Sequence, residues 1–141
     1  AMILVVTGLG GSLSEVLKAT PAVDYIADFF KNYGLPSILL PFVIGIIGNM
    51  ITGSTTVGVI TAGALVAPML GTLGLSPEAA MLSGASGSVI IKYVNSSYFW
   101  VCTSLSGFDA KDGILGYGGV TLVGGITSFM TVWAMWAAGF I

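Results

Sequence analysis

The 141-residue chain is 55% hydrophobic and only 7% charged, contains no His and no Arg, and carries a net charge of −2. A soluble domain has about a quarter charged residues, so this is the composition of a membrane protein, and it offers no basic patch for nucleic acid. The lone Cys102 and the lack of His exclude a disulfide framework, a cysteine metal site, a zinc site and an imidazole triad. No nucleophile–base pair is visible either, so the expectation is a non-enzyme with no cofactor, metal or catalytic residue.

The chain begins and ends inside apolar runs, which reads as a piece of a longer polypeptide. Residues 1–11 are expected to be the end of a transmembrane helix, broken by Gly8, Gly10 and Gly11. Their spacing fits neither the dinucleotide nor the Walker phosphate loop, so close helix packing is the better reading. Residues 12–34 hold half of all the charges: Glu15, Lys18, Asp24, Asp28 and Lys31. Thr20 and Pro21 make a helix start and Gly34 a stop. Val23, Ile26, Phe30 and Tyr33 share one face between them, which predicts an amphipathic helix lying in the headgroup plane. Asp24 and Asp28, four apart, are read as a solvated face rather than a catalytic or metal-binding pair.

Residues 36–70 are organised by the polar knot Asn49-Met-Ile-Thr-Gly-Ser-Thr-Thr-Val-Gly58. The uncharged arms on either side, Ile38 to Ile51 and Val57 to Leu70, reach only roughly 21 Å each, short of a ~30 Å hydrocarbon core. A single straight helix of about 52 Å would be far too long. A re-entrant helical hairpin fits, with Gly53-Ser54-Thr55-Thr56 at its tip. Gly45, Gly48, Gly58, Gly63 and Ala67 would let helices approach closely in lipid.

Ser76-Pro77-Glu78 is a helix start. Residues 77–106 read as one transmembrane helix interrupted near mid-membrane, with Asn95, Ser96 and Ser97 forming the break and Asn95 or Ser97 capping the second half. Gly107 to Asp112 is a polar turn. Residues 113–141 are a final uncharged transmembrane helix with Trp133, Trp136 and Phe140 suited to an interfacial aromatic belt.

Paired interruptions in undersized apolar segments point to a transporter's substrate site. Each break would put a helix start inside the bilayer, one near Thr55 and one near Ser97. A helix start carries about half a positive charge and free N–H donors, so two aimed at one place attract an anion. The hydroxyls of Ser54, Thr55, Thr56, Ser96 and Ser97 and the Asn95 amide suit a carboxylate with hydroxyl neighbours. Lys92 adds a full positive charge. The plainer readings are interhelical glue for the Ser/Thr clusters and snorkelling for Lys92. The candidate substrate-binding residues are therefore Gly53, Ser54, Thr55, Thr56, Lys92, Asn95, Ser96 and Ser97.

Gly53-Ser-Thr-Thr-Val57 followed by Ala64-Leu-Val-Ala-Pro-Met-Leu70, then Gly74-Leu-Ser-Pro77, Gly84-Ala-Ser-Gly-Ser88 and Tyr93-Val-Asn-Ser-Ser-Tyr-Phe-Trp100 occur in this order. Together they resemble the gluconate permease (GntP-type) family of proton symporters, within the ion-transporter superfamily, over the carboxyl-terminal part of such a permease. The resemblance implies an all-α membrane fold of two inverted repeats, each with a re-entrant hairpin and a broken helix, usually as a homodimer. It also implies uptake of gluconate or a related sugar acid, with Ser54, Thr56, Asn95 and Ser97 as substrate-site positions. Tyr93, Ser96 and Lys92 stand where the family pattern has a His, an Asp and a small polar residue. The coupling ion is thus left as H⁺ or Na⁺.

The reading is one inverted repeat of a multi-pass carboxylate transporter of the cell (inner) membrane, its partners being a sugar acid, a coupling ion, the bilayer and a missing amino-terminal repeat. The rival is a channel-like or structural membrane subunit.

Overall fold

A computed structural model describes residues 32–141 throughout, together with Ser12, Val16, Pro21, Tyr25, Asp28 and Phe29. The expectations for residues 1–11, and most of those for 12–34, lie outside the described residues. The described chain is all helical, with no strand. Helix α1 spans Leu39–Thr52 and α2 spans Thr55–Val66. A 3-10 turn, Ala67–Met69, and the short α3, Leu70–Leu73, extend α2. Then come α4 (Pro77–Ile90), α5 (Ser97–Ser106), α6 (Ala110–Gly113), a π-helical turn (Ile114–Gly118) and α7 (Gly119–Ala137).

Local chemistry sets these ends. Ser76 Oγ accepts the Ala79 N–H at 3.0 Å with Pro77 in the first turn, where its missing donor costs nothing. Asp109 Oδ1 accepts the Asp112 N–H at 2.8 Å, so half of the expected polar turn is already helical. From Ala110 to Ala137 the chain is one 28-residue helical rod, long and apolar enough to cross a membrane. Thr55–Leu73 passes the same test with 19 residues. That arm is longer than the sequence suggested. Pro68 falls in the 3-10 turn, where a lost N–H is tolerated, and helix resumes to Leu73. The argument from short length therefore applies only to the 14-residue α1.

The elements pack through small residues. Alpha-1 runs beside α4 in the same direction: Ser83 Oγ donates to the Ile38 carbonyl at 2.6 Å, and further along, Gly45 meets Gly84 and Ser88. A methyl group on Gly87 would collide with the Phe42 carbonyl oxygen, and one on Gly45 with that of Gly84. Backbones this close need glycine at the contact. Alpha-2 folds back antiparallel to α1, its Gly58 against Gly48. At the end away from this fold-back lies the apolar core, including Ile38, Val66, Met69, Leu73 and Ala79, covered by Phe129 and Val132 of α7. Phe42 and Phe129 stack there with ring centroids 3.9 Å apart. The opposite end of the bundle is polar, and it holds the cavity.

Candidate functional site

The turn between α1 and α2 is built from its own side chains. Thr52 Oγ1 donates to the Gly48 carbonyl at 2.7 Å and accepts the Ser54 N–H at 3.2 Å. Ser54 is the N-cap of α2, its Oγ accepting from Val57 N at 3.4 Å. Gly53 between them has φ +70°, a conformation that favours glycine, and any Cβ there would strike the Asn95 carbonyl oxygen. Two independent constraints thus demand glycine at this point.

The facing segment leaves helical geometry at Ile91, and α5 begins at Ser97, so the non-helical stretch takes in Ile91 to Val94 as well as the expected Asn95 and Ser96. Neither Asn95 nor Ser97 caps α5. The N-cap is Ser96, which makes no side-chain cap bond. Asn95 is used across the structure instead: its Nδ2 donates to the Met50 carbonyl at 2.7 Å, and the Tyr93 hydroxyl donates to the same oxygen at 3.2 Å. Met50 lies in the last turn of α1, where carbonyls have no intrahelical partner. The two donors therefore satisfy a helix end while stitching the break to the hairpin turn. Within the break, Ser96 N–H donates to Tyr93 O at 3.0 Å and Trp100 Nε1–H to Val94 O at 2.9 Å.

This brings the starts of α2 and α5 to one cavity of about 530 Å³. Gly53, Ser54, Thr55, Thr56, Lys92, Asn95, Ser96 and Ser97 all line it, so the eight residues singled out in the sequence share one wall system. The first amides of α2 and of α5 have no acceptor within their helices. Lys92 is the only charged residue in the lining and is only 7% exposed. Among the described residues it has neither an ion pair nor a side-chain hydrogen bond. The rest of the lining offers Lys92 no counter-charge, only hydroxyls, an amide and the starts of two helices. Lys92 and the two helix starts favour a negative guest, while the hydroxyls can donate or accept.

Five further residues line the cavity: Thr52, Val89, Tyr98, Tyr117 and Thr121. Tyr117 and Thr121 come from the final rod, which the sequence reading left as a plain span. Gly118, beside them, lets the rod approach the break: a Cβ there would sit 3.2 Å from the Lys92 carbonyl oxygen. Behind the cavity wall, Asn49 of α1 is 1% exposed, and both polar atoms of its amide lack a partner among the described residues.

A family model described as GntP family permease matches residues 1–138. The chain is 37% identical over 101 residues, 72% of its length, to a high-affinity gluconate transporter of Escherichia coli K12, of which it covers 23%. It is 29% identical over 140 residues, 97% of its length, to an inner membrane permease of the same organism, of which it covers 30%. It is 30% identical over 129 residues, 91% of its length, to the D-serine transporter of E. coli K12, of which it covers 29%. The chain thus spans less than a third of the length of these relatives. No solved structure matches it.

Proposed function

Because this chain belongs to the GntP permease family, whose characterised relatives are transporters rather than enzymes, we propose that its cavity is the substrate site of a secondary transporter for a small hydroxy-carboxylate of the gluconate type. The observation that carries the proposal is the composition of the cavity: Lys92, its one charged lining residue, shares a hydroxyl-lined hollow with the starts of two helices and no acidic group. The carboxylate would meet Lys92 and the helix-start amides, while Ser54, Thr56, Ser96 and Ser97 would take hydroxyl groups. None of the lining residues is acidic. An amino acid such as D-serine brings an ammonium that would need such a partner, so a hydroxy acid suits these walls better.

In the intact permease, the hairpin of α1 and α2 would enter and leave the inner membrane from one side, and α4–α5 would cross it as a broken helix. Irregular backbone at membrane depth is tolerated where it lines such a cavity. A second, inverted repeat would supply the facing half of the site, the permease would work as a homodimer, and a gradient of H⁺ or Na⁺ would drive uptake. The test is uptake of labelled gluconate and labelled D-serine by the intact permease in proteoliposomes, with either gradient imposed in turn. Lys92→Gln should raise KM for gluconate by about ten- to a hundredfold, the loss of one charge-assisted contact. Unchanged gluconate KM in Lys92→Gln, or a preference for D-serine, would overturn the reading.

A further inference from the structure

Tyr117 borders more than the polar cavity. Between α5 and the final rod lies a second hollow of about 380 Å³, lined by Cys102, Ser106, Phe108 and Val120 among others, and Tyr117 lines this one too. Its walls are mostly carbon, in contrast to the hydroxyls on the near side. Tyr117 sits on the π-helical turn, a local underwinding that recurs at functional positions because it re-aims one side chain without breaking the helix. The turn is held from both flanks. Gly113, before it, packs on Thr103 and Phe99 of α5, and Gly118, its last residue, packs on the Lys92 carbonyl. The Tyr117 ring rests against Phe99, with centroids 6.3 Å apart at 56°.

We propose that Tyr117 is the partition that limits the size of the anion, and that the hollow behind it, open on its outer side, is a subsite for an apolar substituent on the carboxylate. With the ring in place, a polar guest meets the phenol and stops. With the ring removed, the polar cavity opens into the second hollow, and a carboxylate with an aliphatic tail can place that tail against Phe108 and Val120. The ligand class rests on the anion-site reading above; the partition does not.

Cys102, the one cysteine of this chain, lies on the far side of the ring and reports on it directly. The experiment uses the intact permease in proteoliposomes, with any other cysteines replaced, and a negatively charged, membrane-impermeant methanethiosulfonate. Cys102 should be modified slowly in the parent and in Tyr117→Phe, and at least tenfold faster in Tyr117→Ala. Tyr117→Val serves if the alanine variant does not elute as a monodisperse protein. Competition against gluconate by 2-hydroxybutanoate, 2-hydroxyhexanoate and 2-hydroxyoctanoate should be independent of chain length in the parent. In Tyr117→Ala it should strengthen roughly fourfold per methylene buried. Val120→Trp, added to Tyr117→Ala, should cancel that gain. Equal modification rates in parent and Tyr117→Ala overturn the partition. Faster modification with no dependence on chain length overturns the subsite. Faster modification that no organic anion slows leaves the partition standing and sinks the anion reading instead.

Discussion

At one end of the bundle Ile38, Met69, Leu73, Phe129 and Val132 close on one another by apolar side-chain packing. At the other, Thr52–Thr56 and Ile91–Ser97 meet through side chains bonded to backbone, around an open cavity. The same two helices, α1 and α4, run through both regions and are glycine-tight between them. What differs is how each end satisfies its backbone. At the apolar end the helix termini are answered close by, by the Ser76 cap, by turns such as Leu75 N–H to Leu70 O, and by Ser83 Oγ on the Ile38 carbonyl, so the packing there can be dry. At the polar end four helix termini converge, and their free amides and carbonyls must be answered by side chains or by a guest. Stability should therefore reside at the apolar end and affinity at the polar end.

The strongest way to break that division is to hollow out the apolar end. Phe129, 5% exposed and stacked on Phe42, leaves a large void when truncated. Phe129→Ala should destabilise the intact permease by about 3–5 kcal/mol, seen as a lowered midpoint of thermal unfolding in detergent. In lipid the loss comes mainly from packing contacts, since the surroundings are as apolar as the core. The gluconate KM of the protein that does fold should stay within a factor of two. A large KM change would show that the two ends are mechanically one.

A smaller and opposite effect is expected from Asn95→Ala. It removes the 2.7 Å donor to Met50 O, leaving that carbonyl to Tyr93 alone, and it takes an amide from the cavity wall. Loss of one such hydrogen bond is worth about 1 kcal/mol. Gluconate KM should rise about five- to tenfold, while the unfolding midpoint moves by no more than a few degrees. Equal changes in KM and stability would make Asn95 a purely structural stitch.

How far the sequence carried the fold follows the range of the interactions. The hairpin turn is legible because its determinants are adjacent in the chain: a glycine at positive φ, a serine cap, a threonine bonded one turn back. The start of α4 is legible for the same reason. The capping of α5 was misjudged because Asn95 spends its amide 45 residues away, on Met50, a tertiary choice that no local pattern records. The second arm outruns its expected end at Leu70 for the converse reason, since a local breaker, Pro68, is absorbed by a 3-10 turn once the arm is packed. Grouping Ser54 with Asn95 needed only the idea that two polar interruptions of similar depth face each other. Adding Tyr117 and Thr121 needed the π-helical turn, which leaves no mark in the order of the residues.

The finest test concerns a residue that fits neither end. Asn49 sits on α1 one turn from Gly53, between the level where Gly45 meets Ser88 and the level where Gly53 meets Asn95. It is polar, yet it is packed as tightly as Ile38. Because it is already enclosed by this chain, no other part of a longer permease can reach it as it stands. An unpaired amide in that position costs about 1–3 kcal/mol relative to an apolar side chain of similar size. Asn49→Leu should accordingly raise the unfolding midpoint and leave gluconate KM unchanged, extending the dry packing of the seam one turn closer to the cavity. A fall in the midpoint together with weaker gluconate binding would mean the amide is partnered during transport. The boundary between the two regions would then lie at Gly45 rather than at Gly53.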